Sequence, residues 1–325
     1  MPPKPDRKRL SSDLSGLYAE ITGKIIGELE QGRVPWVQPW GSDGTASALD
    51  LPSNAATGRR YSGINVLILW GAVIEGGFTS QSWLTFRQAI SLGGAVRKGA
   101  RGTTVVYASR FVPSEGRAGP SSGASNDPRG IPFLKRFTVF NVEQCDGLPV
   151  GVGAPATPPA AHLILPKAEN LIKATGVDFR IGGARAFYDP RRDYVQVPPP
   201  RAFFETIDWH RTAFHELGHS TGHPSRLARD LTGCFGSKKY AHEELIAEIT
   251  AAFTCAALGI LPTVRHADYI GAWLELLRDD DRAIVRAASA ASRAADYLLG
   301  FLPVEESAEE EPHASREVGQ VLMQA

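Results

Sequence analysis

Leu14, Leu17, Tyr18, Ile21, Ile25 and Leu29 recur every three or four residues, the period of one face of an α-helix. Gly32 falls where a left-handed terminating residue is needed, so the spacing predicts an amphipathic helix over 12–31. The turn-rich RVPWVQPWGSDG follows. RYSGINVLILWGAVIEGG predicts a buried helix starting near Ile64, and SWLTFRQAISLG a shorter one. RGTTVVYASRFV and FLKRFTVFNVEQ are dense in β-branched and aromatic residues and predict strands. Between them PSEGRAGPSSGASNDPRG, almost all Gly, Ser, Pro and charge, predicts a mobile loop over about 111–130. This part of the chain is mixed α/β.

GLPVGVGAPATPPA has no periodicity and is dense in Pro and Gly, which places an interdomain linker at 147–161. Beyond it come a helix near 166–175 and two extended pieces, ARAFYD and DYVQVPP, joined as a hairpin by PRR. From about Phe204 the pattern is helical: a helix carrying HELGH and ending near Gly222, one from about 241 to 258, and a pair between 263 and 300. The tail from 304 opens on an acidic run and predicts a solvated, disordered end. The fold class is therefore α+β in two domains, over 1–146 and 162–303.

At 325 residues each domain is long enough to bury a core of its own. Three dispersed cysteines, with no CxxC pair, exclude a disulfide framework and a cysteine zinc knuckle and suit a reducing compartment. No apolar segment follows MPPKPDRKRL, and the longest apolar run, INVLILWGAVI, is too short to span a bilayer. The expectation is a soluble cytoplasmic protein with no membrane partner. The formal net charge of zero is unevenly spread: residues 1–150 hold 17 Lys and Arg against 12 Asp and Glu, leaving 18 against 23 for the rest. Within 51–114 seven bases face one acid, Glu75, a candidate anion-binding surface.

HELGHSTGHP, residues 215–224, carries the candidate chemistry. His215 and His219 are i and i+4 on a helix, so their imidazoles can converge on one ion. Glu216 is beside that ion rather than on it, where a carboxylate can take a proton from water. The same spacing also suits an amphipathic helix with two surface histidines. A hydrolytic zinc site takes three protein ligands and leaves the fourth position open. Glu244 and Glu248, 25 and 29 residues after His219, share one face of the next helix and could return antiparallel. His223 is the rival third ligand, although Gly222 and Pro224 argue that the helix has ended before it.

The E-x-x-x-E of EELIAEITAAF resembles the motif of the glutamate zincins, E-x-x-x-D. That resemblance implies Glu244 as the ligand and Glu248 as the acceptor that orients a ligand histidine, with a longer arm than the family's Asp. Tyr240, one turn earlier, is a candidate hydroxyl donor to an oxyanion, set against simple packing. The upstream hairpin is a candidate edge for a peptide added as a strand.

LYAEITGKIIGELEQGRVPWVQPW, PSNAATGRRYSGINVLILW and SWLTFRQAISLGGAVRKGARGTTVVY in the first half, with YDPRRDYVQVPP, FHELGHSTGHPSRL and YAHEELIAEITAAF in the second, resemble the ArdC-type antirestriction proteins of conjugative plasmids. The resemblance implies a single-stranded-DNA-binding domain joined to a zincin-like metallopeptidase domain holding one Zn2+ per chain, and protection of incoming plasmid DNA. A protein substrate or a component of a restriction system is the partner implied for the second domain. Single strands are held by basic grooves and aromatic faces. The candidates for DNA contact are Arg59, Arg60, Tyr61, Arg97, Lys98 and Arg101, cations and an aromatic in loops, against the alternative of a solvated basic face. Two other readings stay open: a DNA-binding protein whose zincin domain is only a scaffold, and a zinc protease that cleaves a regulator without binding DNA.

Overall fold

The computed structural model describes residues 7–37, 50–111, 131–154, 161–262 and 269–303. Most of the loop expected at 111–130, and the acidic tail from 304, lie outside them. The first helix, α1 (Arg7–Glu30), buries Leu17, Ile21, Ile25 and Leu29, the stripe anticipated from spacing. Gly32 ends it at φ 73°, a left-handed conformation that lets the Arg33 amide turn back to the Glu28 carbonyl at 2.9 Å.

Next come β1 (Ser53–Asn54), α2 (Ile64–Gly76), β2 (Ser82–Thr85), α3 (Phe86–Ser91), β3 (Ala95–Val96), β4 (Thr103–Phe111), β5 (Ile131–Asn141) and β6 (Cys145–Asp146). β1, β2, β5 and β4 form one sheet in that order, and β3 pairs with β6. SWLTFRQAISLG is therefore not one helix: SWLT is a strand with Trp83 and Leu84 fully buried, and the helix begins after Thr85. The stop is local. Thr85 and Gln88 form a capping box, each side chain bonding the other's backbone amide.

In the second half α4 (Ala161–Ala174) is followed by β7 (Asp178–Ile181), β8 (Phe187–Asp189) and β9 (Tyr194–Val197), paired in the order β7-β9-β8. The hairpin is β8–β9, with β8 at one edge. β7 was not anticipated; DFRI carries an Asp178–Arg180 ion pair and pairs in parallel with β9. Four helices follow among the described residues: α5 (Thr206–Ser220), α6 (Lys238–Ala257), α7 (Ile270–Asp279) and α8 (Ala283–Leu299).

The largest apolar cluster is common to both halves of the chain, not divided between two separate cores. The cause is α2, which is apolar nearly all round and so must be covered on two sides. Leu69 and Val73 pack with Trp83, Val105 and Val139 of the N-terminal sheet. Ile64, Leu67 and Trp70 pack instead with α6 and α8, where Trp70 meets Phe253 edge-on at 5.5 Å. Trp36 meets Trp273 of α7 in the same way at 5.4 Å. α8 approaches α6 closely because most of its buried positions are alanines: 283, 287, 288, 290, 291, 294 and 295.

Candidate metal centre and basic loops

α5 is buried almost throughout and lies on α6, so its polar residues face other protein rather than water. Gly218 sets the separation. A Cβ there would lie 3.3 Å from the Ala247 Cα and 3.4 Å from the Ala247 carbonyl oxygen, so a side chain would push the two helices apart. The close crossing brings Glu244 to the two histidines of α5. The Nε2 atoms of His215 and His219 are 3.2 Å apart, and each is 3.5 Å from a Glu244 oxygen. For metal–ligand bonds of about 2.0–2.1 Å, the edge of a tetrahedron is about 3.3–3.4 Å. The two imidazole nitrogens thus span one edge of a tetrahedral site, and Glu244, which turns Oε2 to His215 and Oε1 to His219, is placed to supply the third donor.

The charge around this site also fits a cation. Glu216, Glu243, Glu244 and Glu248 are all buried, a cost that carboxylates bear only when paired or bound to metal. Burial disfavours a charged His219, yet the Glu243 and Glu244 carboxylates outweigh it and raise its pKa to about 10. Burial likewise opposes ionisation of Glu244, but His215 and His219 hold its carboxyl well below the usual range. The pocket is built for positive charge.

Glu248 lies on the far side of His215, its Oε1 3.8 Å from the ring Nδ1, while Glu244 faces the Nε2 side. Among these contacts the partner of His219 is a residue that sequence reasoning missed. Glu243 Oε1 is 3.3 Å from His219 Nδ1, and Arg229 grips the same carboxylate through Nε at 3.0 Å and Nη2 at 2.7 Å. Arg229 also donates to Thr221 Oγ1 at 2.6 Å and to the Gly218 carbonyl at 2.8 Å, fastening the loop after α5 to α6. The available signal was chemical. A ligand histidine needs an acceptor for its second nitrogen, and Glu243 is the acid adjacent to Glu244.

His223 falls beyond the end of α5 and is not one of the three clustered ligands. Its Nδ1 is 2.7 Å from Ser225 Oγ and 3.7 Å from Asp193 Oδ2. Tyr240, in the first turn of α6, has its hydroxyl 3.1 Å from that of Tyr269. Burial first, then Tyr269 and the neighbouring Glu244, push its phenol above the ordinary range, so it remains a neutral donor. Asp193, at φ 54°, accepts from Tyr188 at 2.8 Å and pairs with Arg226, whose Nε reaches the Ser220 carbonyl at 2.7 Å. This network joins the β8–β9 hairpin to the end of α5, alongside the site.

The basic candidates occupy two loops. Arg59 and Arg60 are exposed on the turn after β1, with Arg60 3.4 Å from Asp50. Tyr61 is half-buried against Leu69 and Trp83, and burial raises its phenol pKa. Lys98 and Arg101 are exposed between β3 and β4. Arg97 is tied back to the Glu143 carbonyl and lies 3.9 Å from Asp146. The two loops make no hydrogen bond to each other among the described residues.

Comparison with known proteins covers both halves. Residues 15–140 match the model of the N-terminal domain of anti-restriction factor ArdC, and residues 166–290 match that of a zincin-like metallopeptidase. The y4eC protein of Sinorhizobium fredii (strain NBRC 101917 / NGR234) is 38% identical over 290 residues, 87% of this chain and 91% of that protein. The DNA primase TraC of Escherichia coli is 38% identical over 295 residues, 86% of this chain but 20% of the primase. The crystal structure of the antirestriction ArdC protein from plasmid R388 in its metal-free form superposes with a TM-score of 0.72 at 39% identity, covering 88% of this chain and 97% of that one. Its Mn(II)-bound form gives 0.71 at 38% identity, with the same coverage. With close identity over nearly the whole of that solved protein, and one family model on each half of its two-domain α+β architecture, this chain belongs to the ArdC family of antirestriction proteins.

Proposed function

We propose that the chain protects incoming plasmid DNA from restriction by binding single-stranded DNA through its N-terminal half, residues 1–146, and acting through a one-zinc peptidase-like centre in residues 162–303. The observation that carries the second part is the convergence of His215, His219 and Glu244. An ion bound there would supply Lewis acidity and make water easier to deprotonate. Glu216, buried on the same turn, then takes the proton from the attacking water and passes it to the leaving amine. Tyr240, held neutral, donates to the oxyanion that develops on the carbonyl oxygen. Glu243 and Glu248 orient the two imidazoles. The edge strand β8 beside α5 offers a backbone ladder to an extended peptide.

The DNA-binding part rests on the N-terminal family match, the seven-to-one excess of bases over 51–114, and the exposed Arg59, Arg60, Lys98 and Arg101. No helix among the described residues is long and apolar enough to cross a membrane. The test is protection of restriction-sensitive DNA by wild type and by Glu216→Ala. Loss of protection with DNA binding intact supports a proteolytic role, and undiminished protection assigns the effect to DNA binding with the zincin half as scaffold.

A further inference from the structure

The β4–β5 ribbon presents aromatic side chains to solvent. Tyr107 is 56% exposed and Phe137 42%, and their rings meet edge-on with centroids 6.5 Å apart. Antiparallel register explains the pairing. Val105 lies opposite Phe137 and Tyr107 opposite Lys135, so all four side chains share one face of the sheet. Nearer the sheet's centre that face is covered by α2, where Val105 and Val139 are buried. Further out, the two rings and Lys135 are exposed. Phe86, 53% exposed, starts α3 directly after Thr85, which pairs with Val139 of β5, and the exposed Arg87 follows it.

Large aromatic rings left half in water at adjoining register positions are unusual for a surface with no partner. Charge identifies the partner. Lys135 shares the face of the two rings, Arg87 follows Phe86, and β2, α3, β4 and β5 contain no Asp or Glu; Arg136, on the opposite face, lies 3.8 Å from Glu20. A surface that couples stacking faces to cations and excludes carboxylates is suited to unpaired bases on a phosphate backbone. A basic peptide would find no acid contributed by these four elements.

We propose that Tyr107 and Phe137 form the base-stacking platform of the chain, with Lys135 and Arg87 holding the phosphates on either side. The proposal deepens the single-stranded-DNA reading given above and rests on it. It also reassigns the aromatic role: Tyr61, half-buried against Leu69 and Trp83, offers little ring face to a base. Because a stacked base displaces no counterion, the aromatic and cationic residues have separable signatures.

The experiment is fluorescence anisotropy of a labelled oligothymidylate with the full chain at several salt concentrations. Tyr107→Ala and Phe137→Ala should each weaken binding roughly tenfold with the salt slope unchanged, while Tyr107→Phe should bind as wild type does. Lys135→Ala should weaken binding and flatten the slope by about one. Both rings are half in water, so unfolding midpoints should move only by the loss of one cross-strand ring contact. For a readout independent of truncation, Tyr107→Trp should gain tryptophan fluorescence that the oligonucleotide quenches. Wild-type affinity in both alanine variants, or no added quenching in Tyr107→Trp, overturns the platform and leaves the DNA reading standing. Failure of wild type itself to bind the oligonucleotide removes both, and binding of an unstructured peptide at this face in its place would identify a protein partner.

Discussion

Replacing Glu243 by Gln tests whether the carboxylate behind His219 sets metal affinity. The substitution keeps the shape of the side chain and removes its charge. In the structure that charge meets His219 Nδ1 at 3.3 Å and the two-point grip of Arg229. Outer partners of ligand histidines typically account for a 10- to 100-fold share of metal affinity, about 1.4–2.7 kcal/mol. The Arg229–Glu243 pair is about nine-tenths buried on both sides, and stranding one partner of such a pair costs about 3–5 kcal/mol. Glu243→Gln should fall below that range, because Arg229 retains Thr221 Oγ1 and the Gly218 carbonyl. Arg229→Met should reach it, because it leaves Glu243 ionised with only His219 to face. The double variant should therefore be more stable than Arg229→Met alone. Zinc affinity by competition with a chromophoric chelator, and urea unfolding of the metal-free protein, measure the two effects separately. Glu243→Gln binding zinc within twofold of wild type would refute the orienting role.

Two other perturbations probe the supports of the site. Gly218→Val places carbon where Ala247 already lies at 3.3 Å, so it should cost about 1–3 kcal/mol in urea unfolding and weaken zinc binding by moving α6 and Glu244 away; full affinity would show that the close crossing is not needed. Asp193→Asn keeps a residue tolerant of φ 54° but removes the charge that Arg226 stabilises. Asp193 titrates below its unfolded value near 3.9, so its contribution is complete above that pH and disappears as the pH falls through the folded value. The stability gap between wild type and Asp193→Asn should be constant from about pH 7 to 8 and close toward pH 3; an equal gap at pH 7 and pH 3 would contradict this.

The elements that sequence predicts well are those whose period is their own property. α1, α2, α5 and α6 follow from spacing, the β4 and β5 strands from residue type, and the β8–β9 hairpin from its turn. SWLT was misread because its apolar pair suits either a strand or a helix, and only the Thr85–Gln88 cap decides where the helix begins. β7 is short and charged, and is a strand only because β9 offers it a ladder. The shared core was illegible for another reason: α2 shows that it must be covered on two sides, but not by which helices. At the metal centre the i, i+4 histidines fix their own convergence, whereas the Glu243–Arg229 grip joins a helix to an irregular loop 14 residues earlier. No local pattern announces a contact of that kind.

His215, His219 and Glu244 together should hold one divalent ion. Calorimetric titration of the metal-free full chain with Zn2+ tests it most directly, comparing wild type with Glu244→Ala and His223→Ala. The predicted result is one ion per chain for wild type and for His223→Ala at similar affinity, with binding by Glu244→Ala weakened at least about 100-fold. Wild-type binding by Glu244→Ala, or loss of the ion in His223→Ala alone, would contradict it.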